Sequence, residues 1–194
     1  EIDYGPTFER VRYGDLFERG TGIDMFDRDA VRSAAVEAGV EDADKLDHWL
    51  LVNQLFEEKG EVAIDPTRPT FVTHYPAAIS PLTRPDPENP ELALRSELFI
   101  AGMELANAYT ELNDPDIQLS IFTEQLSGSD DEESTFRSMD EDFVNALRVG
   151  MPPAGGMGVG IDRVVMLMTG CTSIRDVILF PLMRPEGGED EEES

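Results

Sequence analysis

Apolar positions recur at helical spacing through the first third of the chain, and the rhythm changes after Pro69. Residues 13–19 make a short amphipathic segment. Over 27–38, acidic residues lead, and Val31, Ala34, Ala35 and Ala38 follow at the spacing of one helix face. Over 42–59, Leu46, Trp49, Leu50, Val52, Leu55 and Phe56 form a broad stripe that predicts a longer helix, with Gly60 as its stop. Trp49 and His48 in that stripe read as core and flank residues. Beyond Pro69, residues 70–76 form a β-rich run closed by proline. Four prolines, Pro81, Pro85, Pro87 and Pro90, make 80–90 an irregular connection. Residues 97–111 read as two strands joined at Ala101-Gly102. Residues 116–125 and 140–149 predict short helices, 156–160 a glycine-rich strand or turn, 161–168 an apolar helix, and 177–180 a final buried strand. The sum is an α+β fold, an antiparallel sheet flanked by helices.

Two stretches carry almost no apolar side chain. Residues 127–134 (SGSDDEES) read as a surface loop, and 186–194 (EGGEDEEES) as a disordered acidic tail. No internal repeat at periods of about 20–50 residues is visible.

Composition narrows the functional classes. A chain of 194 residues can bury one sizeable core, and a 40% hydrophobic fraction is too high for wholesale disorder. The formal charge of −26 argues against non-specific nucleic-acid binding, which needs basic residues at phosphates. Lys45 and Lys59 are the only lysines among 15 basic residues. Such a surface fits a protein kept soluble in high salt, or equally a general acidic bias of the source. One cysteine, Cys171, excludes a disulfide framework and a cysteine-based zinc site, and it reads as a buried small residue. Two histidines, His48 and His74, are too few and too separated for a histidine metal site. The longest apolar run, 164–168, is too short to span a bilayer, and no leader segment is visible. The expected compartment is the cytoplasm, with no membrane partner.

Two constellations can carry chemistry. In the first, a two-residue turn at Ala101-Gly102 pairs Ile100 with Met103 and Phe99 with Glu104. Glu97 and Glu104 then lie diagonally on one face of the hairpin. Paired carboxylates on rigid strands suit Mg²⁺, which completes its shell with water and phosphate oxygens. They also suit the solvated side of an ordinary sheet. Asn107, Tyr109 and Glu111 alternate at period two and share a face, a set that can hold an ammonium group or simply half-cover a strand. Glu104 and Asn107 differ by three, so a regular strand points them apart. If they line one site, a β-bulge is required near Leu105-Ala106. In the second constellation, Gly156, Gly158 and Gly160 alternate and Arg163 follows at a helix start. Glycines there admit either a ligand or a tightly packed helix, and the arginine can reach a phosphate. The spacing is neither the dinucleotide fingerprint nor a P-loop.

Residues 69–84 (PTFVTHYPAAISPLTR), 97–115 (ELFIAGMELANAYTELNDP), 140–170 (DEDFVNALRVGMPPAGGMGVGIDRVVMLMTG) and 173–185 (SIRDVILFPLMRP) closely resemble class II lysyl-tRNA synthetases. The resemblance runs from Pro69 to Pro185, and residues 156–163 resemble the family's motif 3. It implies a catalytic-domain fold in which ATP and lysine form lysyl-adenylate and the lysyl group passes to tRNA. Carried over by position, it implies Glu97 and Glu104 as ligands of ATP-associated Mg²⁺. It implies Asn107, Tyr109 and Glu111 as the lysine side-chain pocket, with Gly156 and Gly158 beside it and Glu111 facing the ε-ammonium. It implies Gly160 and Arg163 at ATP, and gives Arg163 and Glu104 the catalytic roles. Tyr109 stands where the family often has phenylalanine.

The departures from the family are specific. The chain starts after the place where motif 2 is expected, and neither an FRNE-type segment nor an HNPEFT-type loop occurs. Motif 1, which forms the homodimer of the full-length enzyme, and the anticodon-binding barrel are also missing. The expectation is an incomplete catalytic domain. Residues 1–185 are its C-terminal part, with 1–68 mainly a helical insert and 69–185 the sheet core, and independent activity is weak or absent. Two alternatives stand beside it. The region 8–24 resembles the elongation factor P lysyltransferases, paralogues that modify a protein lysine. Gly158, however, matches the synthetases where the paralogue carries alanine. A non-catalytic synthetase-like binding module is the other.

Overall fold

The computed structural model describes residues 2–5, 7–127 and 139–181. The acidic tail at 186–194 and nearly all of the 127–134 stretch lie outside the described residues.

A five-stranded sheet organises the first of two compact units, Glu1–Val159. Its strands are β1 (Glu9–Arg12), β2 (Thr70–Thr73), β3 (Arg95–Ile100), β4 (Met103–Thr110) and β5 (Gly155–Val159), in spatial order β1-β2-β3-β4-β5. The β2–β3, β3–β4 and β4–β5 pairs are antiparallel, as expected. The β1–β2 pair is parallel, joining Glu9 to Thr70 and Arg12 to Thr73. This strand was not foreseen. A parallel pair needs a long crossover, and the helical first third is that crossover.

The crossover holds α1 (Tyr13–Thr21), α2 (Arg28–Ala38) and α3 (His48–Leu55). Asp27 caps α2 by accepting from the Ala30 N–H at 3.0 Å, and Gly39 ends it in the left-handed region at φ 80°. The helix expected over 42–59 starts later, because the Asp47 side chain caps it by accepting from the Trp49 N–H at 2.8 Å. Gly60 does not stop it. The coil widens instead into a π-turn over Phe56–Gly60, where the Glu61 N–H reaches the Phe56 carbonyl, and then tightens into a 3₁₀ turn over Glu61–Ala63. Gly60 is required for contact: a Cβ there would lie 2.5 Å from the Phe56 ring. His48 and Trp49 are both buried, and His48 Nε2 lies 2.9 Å from the Met25 carbonyl.

The crossover helices pack on one sheet face. Leu16, Phe17, Val31, Leu51, Val52, Leu55 and Phe56 form one core with Val11, Val72, Tyr75 and Phe99. Paired residues share a face, so Val11, Val72, Glu97, Asn107 and Gly158 form one row across the sheet. The helices therefore cover the β1–β2 end of the face that carries the candidate residues, while Asn107, Tyr109, Gly156 and Gly158 remain partly or fully exposed. In the same unit, α4 (Pro115–Ser127) and α5 (Glu141–Val149) match the two expected short helices.

The second unit, Gly160–Ser194, contains α6 (Ile161–Thr169), closed by Gly170 at φ 71°, and a 3₁₀ turn over Ile174–Asp176. The buried strand expected at 177–180 does not form. Leu179 and Phe180 are 89% and 92% exposed, and among the described residues no strand pairs with them. An apolar run becomes a strand only when its N–H and C=O groups find a ladder partner. Cys171 is half-buried rather than buried. Among the described residues no helix is long and apolar enough to cross a membrane.

Candidate functional site

The β3–β4 hairpin turns at Ala101 (φ 55°) and Gly102 (φ 75°), the two positive φ values of a type I′ connection. Ile100 pairs with Met103 and Phe99 with Glu104, as the two-residue turn requires. The next pair is Leu98 with Ala106, so Leu105 is an extra residue in β4. This is the bulge that the parity of Glu104 and Asn107 demanded. It rotates Glu104 onto the face of Asn107, and Asn107 Nδ2 lies 3.4 Å from Glu104 Oε1. One face of the hairpin therefore presents Glu97 and Glu104 on either side of Asn107, then Tyr109, then Glu111 just beyond the strand.

β5 supplies the floor beside them. Gly158 pairs with Asn107 and Gly156 with Tyr109. The Glu111 carboxylate lies over Gly156, where a Cβ would stand 2.1 Å from Glu111 Oε1. A Cβ at Gly158 would stand 3.1 Å from Asn107 Oδ1. The alternate glycines thus make room for polar side chains of the neighbouring strand. β5 is held in place by its own connection, since Asn113 Nδ2 donates to the Met151 carbonyl at 3.0 Å.

Glu97 is buried, and both of its oxygens are engaged. Oε2 accepts from the Tyr75 hydroxyl at 2.6 Å, and Oε1 accepts from Arg95 Nη2. Burial, followed by the Glu97 charge, pushes the Tyr75 hydroxyl far above the usual tyrosine range, so it stays a donor. Sequence parity could have flagged Arg95, which shares a face with Glu97. Tyr75 could not be flagged, because it reaches Glu97 from outside the sheet.

Glu61 is a further carboxyl that sequence reasoning passed over. Burial raises its pKa, and the charges of Glu57, Glu97 and Glu104 raise it further. A carboxyl with a raised folded pKa holds its proton longer than the unfolded chain does. Stability is therefore lost as pH climbs through the window above the ordinary glutamate value. Glu61→Gln is expected to raise the thermal midpoint at neutral pH, with the gain vanishing below about pH 4. Paired melting curves at the two pH values check this, and an unchanged midpoint at neutral pH contradicts it.

Among the described residues no group of three or more His, Cys, Asp or Glu side chains is arranged to enclose a metal ion. At the end of the face away from Glu111 stand two carboxylates, Glu97 and Glu104. Each Glu97 oxygen retains one lone pair beyond its present partner. Such a set fits a magnesium ion that draws most of its shell from water and phosphate oxygens. Gly160 and Arg163 belong to the second unit: Gly160 is the N-cap of α6 and Arg163 lies exposed in its first turn. A separate recess of about 1090 Å³, lined by residues including Trp49, Ile79, Ile121 and Phe122, contains none of the candidate site residues.

The sequence family described as tRNA synthetases class II (D, K and N) matches residues 1–184. Curated relatives include a lysine–tRNA ligase of Pelotomaculum thermopropionicum, 47% identical over 193 residues, covering 95% of this chain and 37% of the relative. The lysine–tRNA ligase of Aquifex aeolicus is 44% identical over 190 residues, covering 96% and 32% respectively. That of Bacillus subtilis is 45% identical over 187 residues, covering 95% and 37%. The chain thus spans about a third of the length of these relatives.

Proposed function

The chain belongs to the class II tRNA synthetases of the D, K and N group, and on that premise we propose that it carries the amino-acid side of a lysine-activating site. The reaction is ATP-dependent formation of lysyl-adenylate, followed by lysyl transfer to tRNA. The observation that carries this reading is the face formed by Asn107, Tyr109 and Glu111 over Gly156 and Gly158. It combines an amide, an aromatic ring and a carboxylate on an open glycine floor. Those groups suit the stem and ammonium of a lysine side chain. The names of the similar proteins point the same way.

Glu97 and Glu104 would hold Mg²⁺ brought with ATP, and Gly160 and Arg163 would meet the nucleotide. Bound magnesium would neutralise phosphate charge. The chain's own residues would position lysine so that its carboxylate reaches the α-phosphorus, with no protein nucleophile. Residues 1–185 would form the C-terminal part of a cytoplasmic enzyme's catalytic domain. The homodimer and the tRNA contacts of the full-length enzyme would rest largely on segments outside these 194 residues, which reconciles a charge of −26 here with a tRNA-handling family.

No FRNE-type segment occurs in these residues, so on their own they would offer ATP Arg163 without the second arginine that the resemblance assigns to motif 2. The apolar side chains of Met157 and Val159 are 60% and 46% exposed on the opposite face of β5, a surface suited to further packing. The expected outcome is measurable lysine binding by calorimetry but no lysine-dependent pyrophosphate exchange by this chain alone. Exchange appears on adding a segment that bears motif 2. Robust exchange without it would overturn the incompleteness. Binding of β-lysine in preference to lysine would favour the elongation factor P lysyltransferase reading instead. Gly158 speaks for lysine.

A further inference from the structure

Arg95 stands directly across from Tyr109 and two residues before Glu97. Its largely buried guanidinium touches several parts of the chain at once. Nη2 donates to Glu97. Nη1 donates to the Ile79 carbonyl at 3.2 Å and to Ser80 Oγ at 3.1 Å. The guanidinium carbon lies 4.6 Å from the Tyr75 ring centre and 5.6 Å from that of Tyr109. Both distances are within the reach of cation–π attraction. Arg95 Nε is buried without a hydrogen-bond partner. A buried unpaired donor is unfavourable, so the guanidinium sits where the carboxylate and the two rings place it rather than where every donor is met.

We propose that Arg95 is a positioning residue that couples the two halves of this face. One guanidinium holds the Glu97 carboxylate on β3 and the Tyr109 ring on β4 in a single joint arrangement. Glu97 lies at the acidic end of the face and Tyr109 at the Glu111 end. Without the cation, Glu97 becomes a buried charge with only a phenol as partner, and Tyr109 loses its electrostatic support. A lysine at 95 keeps the charge but loses the planar fork that serves the carboxylate and both rings together. The ligand consequences rest on the lysine-and-magnesium reading above; the coupling itself does not.

The test is NMR on the whole chain, labelled at tyrosine rings and arginine side-chain nitrogens, with parallel titrations of Mn²⁺ and lysine. Glu97→Gln is expected to shift the Tyr109 ring signal, and to shift it no longer in an Arg95→Lys background. Arg95→Lys is expected to weaken both Mn²⁺ and lysine binding by about tenfold. Tyr75→Phe removes one Glu97 hydrogen bond but keeps its ring against Arg95, so it should weaken Mn²⁺ alone. A Tyr109 signal indifferent to Glu97→Gln, or an Arg95 side chain rotating as freely as a solvated one, overturns the coupling. Equal loss of both ligands in Arg95→Lys and Tyr75→Phe, tracking a shared fall in melting temperature, reduces Arg95 to structural support and overturns the positioning role. Coupled ring signals in a chain that binds neither ligand support the coupling and overturn the functional reading.

Discussion

Gly156→Ala is expected to lower lysine affinity roughly a hundredfold while leaving the fold intact, the equivalent of one charge-assisted hydrogen bond of up to about 3 kcal/mol. The added methyl group would stand 2.1 Å from Glu111 Oε1, far inside contact distance, and 3.3 Å from its Cδ. The Glu111 carboxylate must leave that place. Its backbone cannot follow, because the Glu111 N–H donates to the Ala154 carbonyl at 3.0 Å and the residue bridges Thr83. The carboxylate therefore swings off the site instead of the strand moving. Gly155→Ala is the matched control, since its Cβ meets only the Tyr109 carbonyl at an ordinary 3.5 Å. Gly158→Ala falls between them, with a 3.1 Å approach to Asn107 Oδ1 that a small side-chain shift relieves. Calorimetric lysine titration of the three variants should rank them in that order. Equal affinities for Gly155→Ala and Gly156→Ala would remove Glu111 from the binding site.

Phe56→Ala is expected to cost about 3–5 kcal/mol of folding stability, the usual range for emptying a buried aromatic site. Phe56 is buried, stacked on Tyr13 at 3.8 Å between ring centres and set edge-on to Tyr75 at 6.3 Å. The cavity would be slow to collapse. Gly60 already lies against this ring, and Gly20 lies so close to Lys59 that a Cβ there would stand 2.2 Å from its carbonyl oxygen. The backbone on that side is therefore closely packed. Tyr13 and Tyr75 would lose a shared neighbour, and Tyr75 is the residue that donates to Glu97. Urea unfolding of the variant should show the midpoint falling at an unchanged slope. A loss below about 1 kcal/mol would mean that the site refills, contrary to the packing described.

The site was legible in the sequence wherever it depended on neighbours along the chain. The parity of Asn107, Tyr109 and Glu111 is a property of one strand and its continuation, and the two-residue turn at Ala101-Gly102 sets the hairpin register that brings Glu97 beside them. The mismatch between Glu104 and Asn107 even called for a bulge near Leu105-Ala106 if the two were to line one site, because a period of two leaves no other way to bring them together, and the register puts it at Leu105. The resemblance to lysyl-tRNA synthetases rested on the same local strings, and the family match bears it out.

The elements that escaped have a common cause. β1 has no helical or strand rhythm long enough to announce itself, and it is a strand because Thr70 to Thr73 lie beside it. The run at 177–180 has the composition of a strand and no ladder, so it stays irregular and exposed. The π-turn at Phe56–Gly60 answers to packing around Phe56 rather than to helix propensity.

The sequence by itself determined the hairpin, the face shared by the acidic and amide residues, and the family, all of which follow from spacings of a few residues. Only the tertiary structure decided that Glu97 is held by Tyr75, that Glu111 rests over Gly156, and that the helical first third is the crossover of a parallel strand pair. Those arrangements join residues distant in sequence, and their free energy exists only once burial has brought the partners together and removed the water between them.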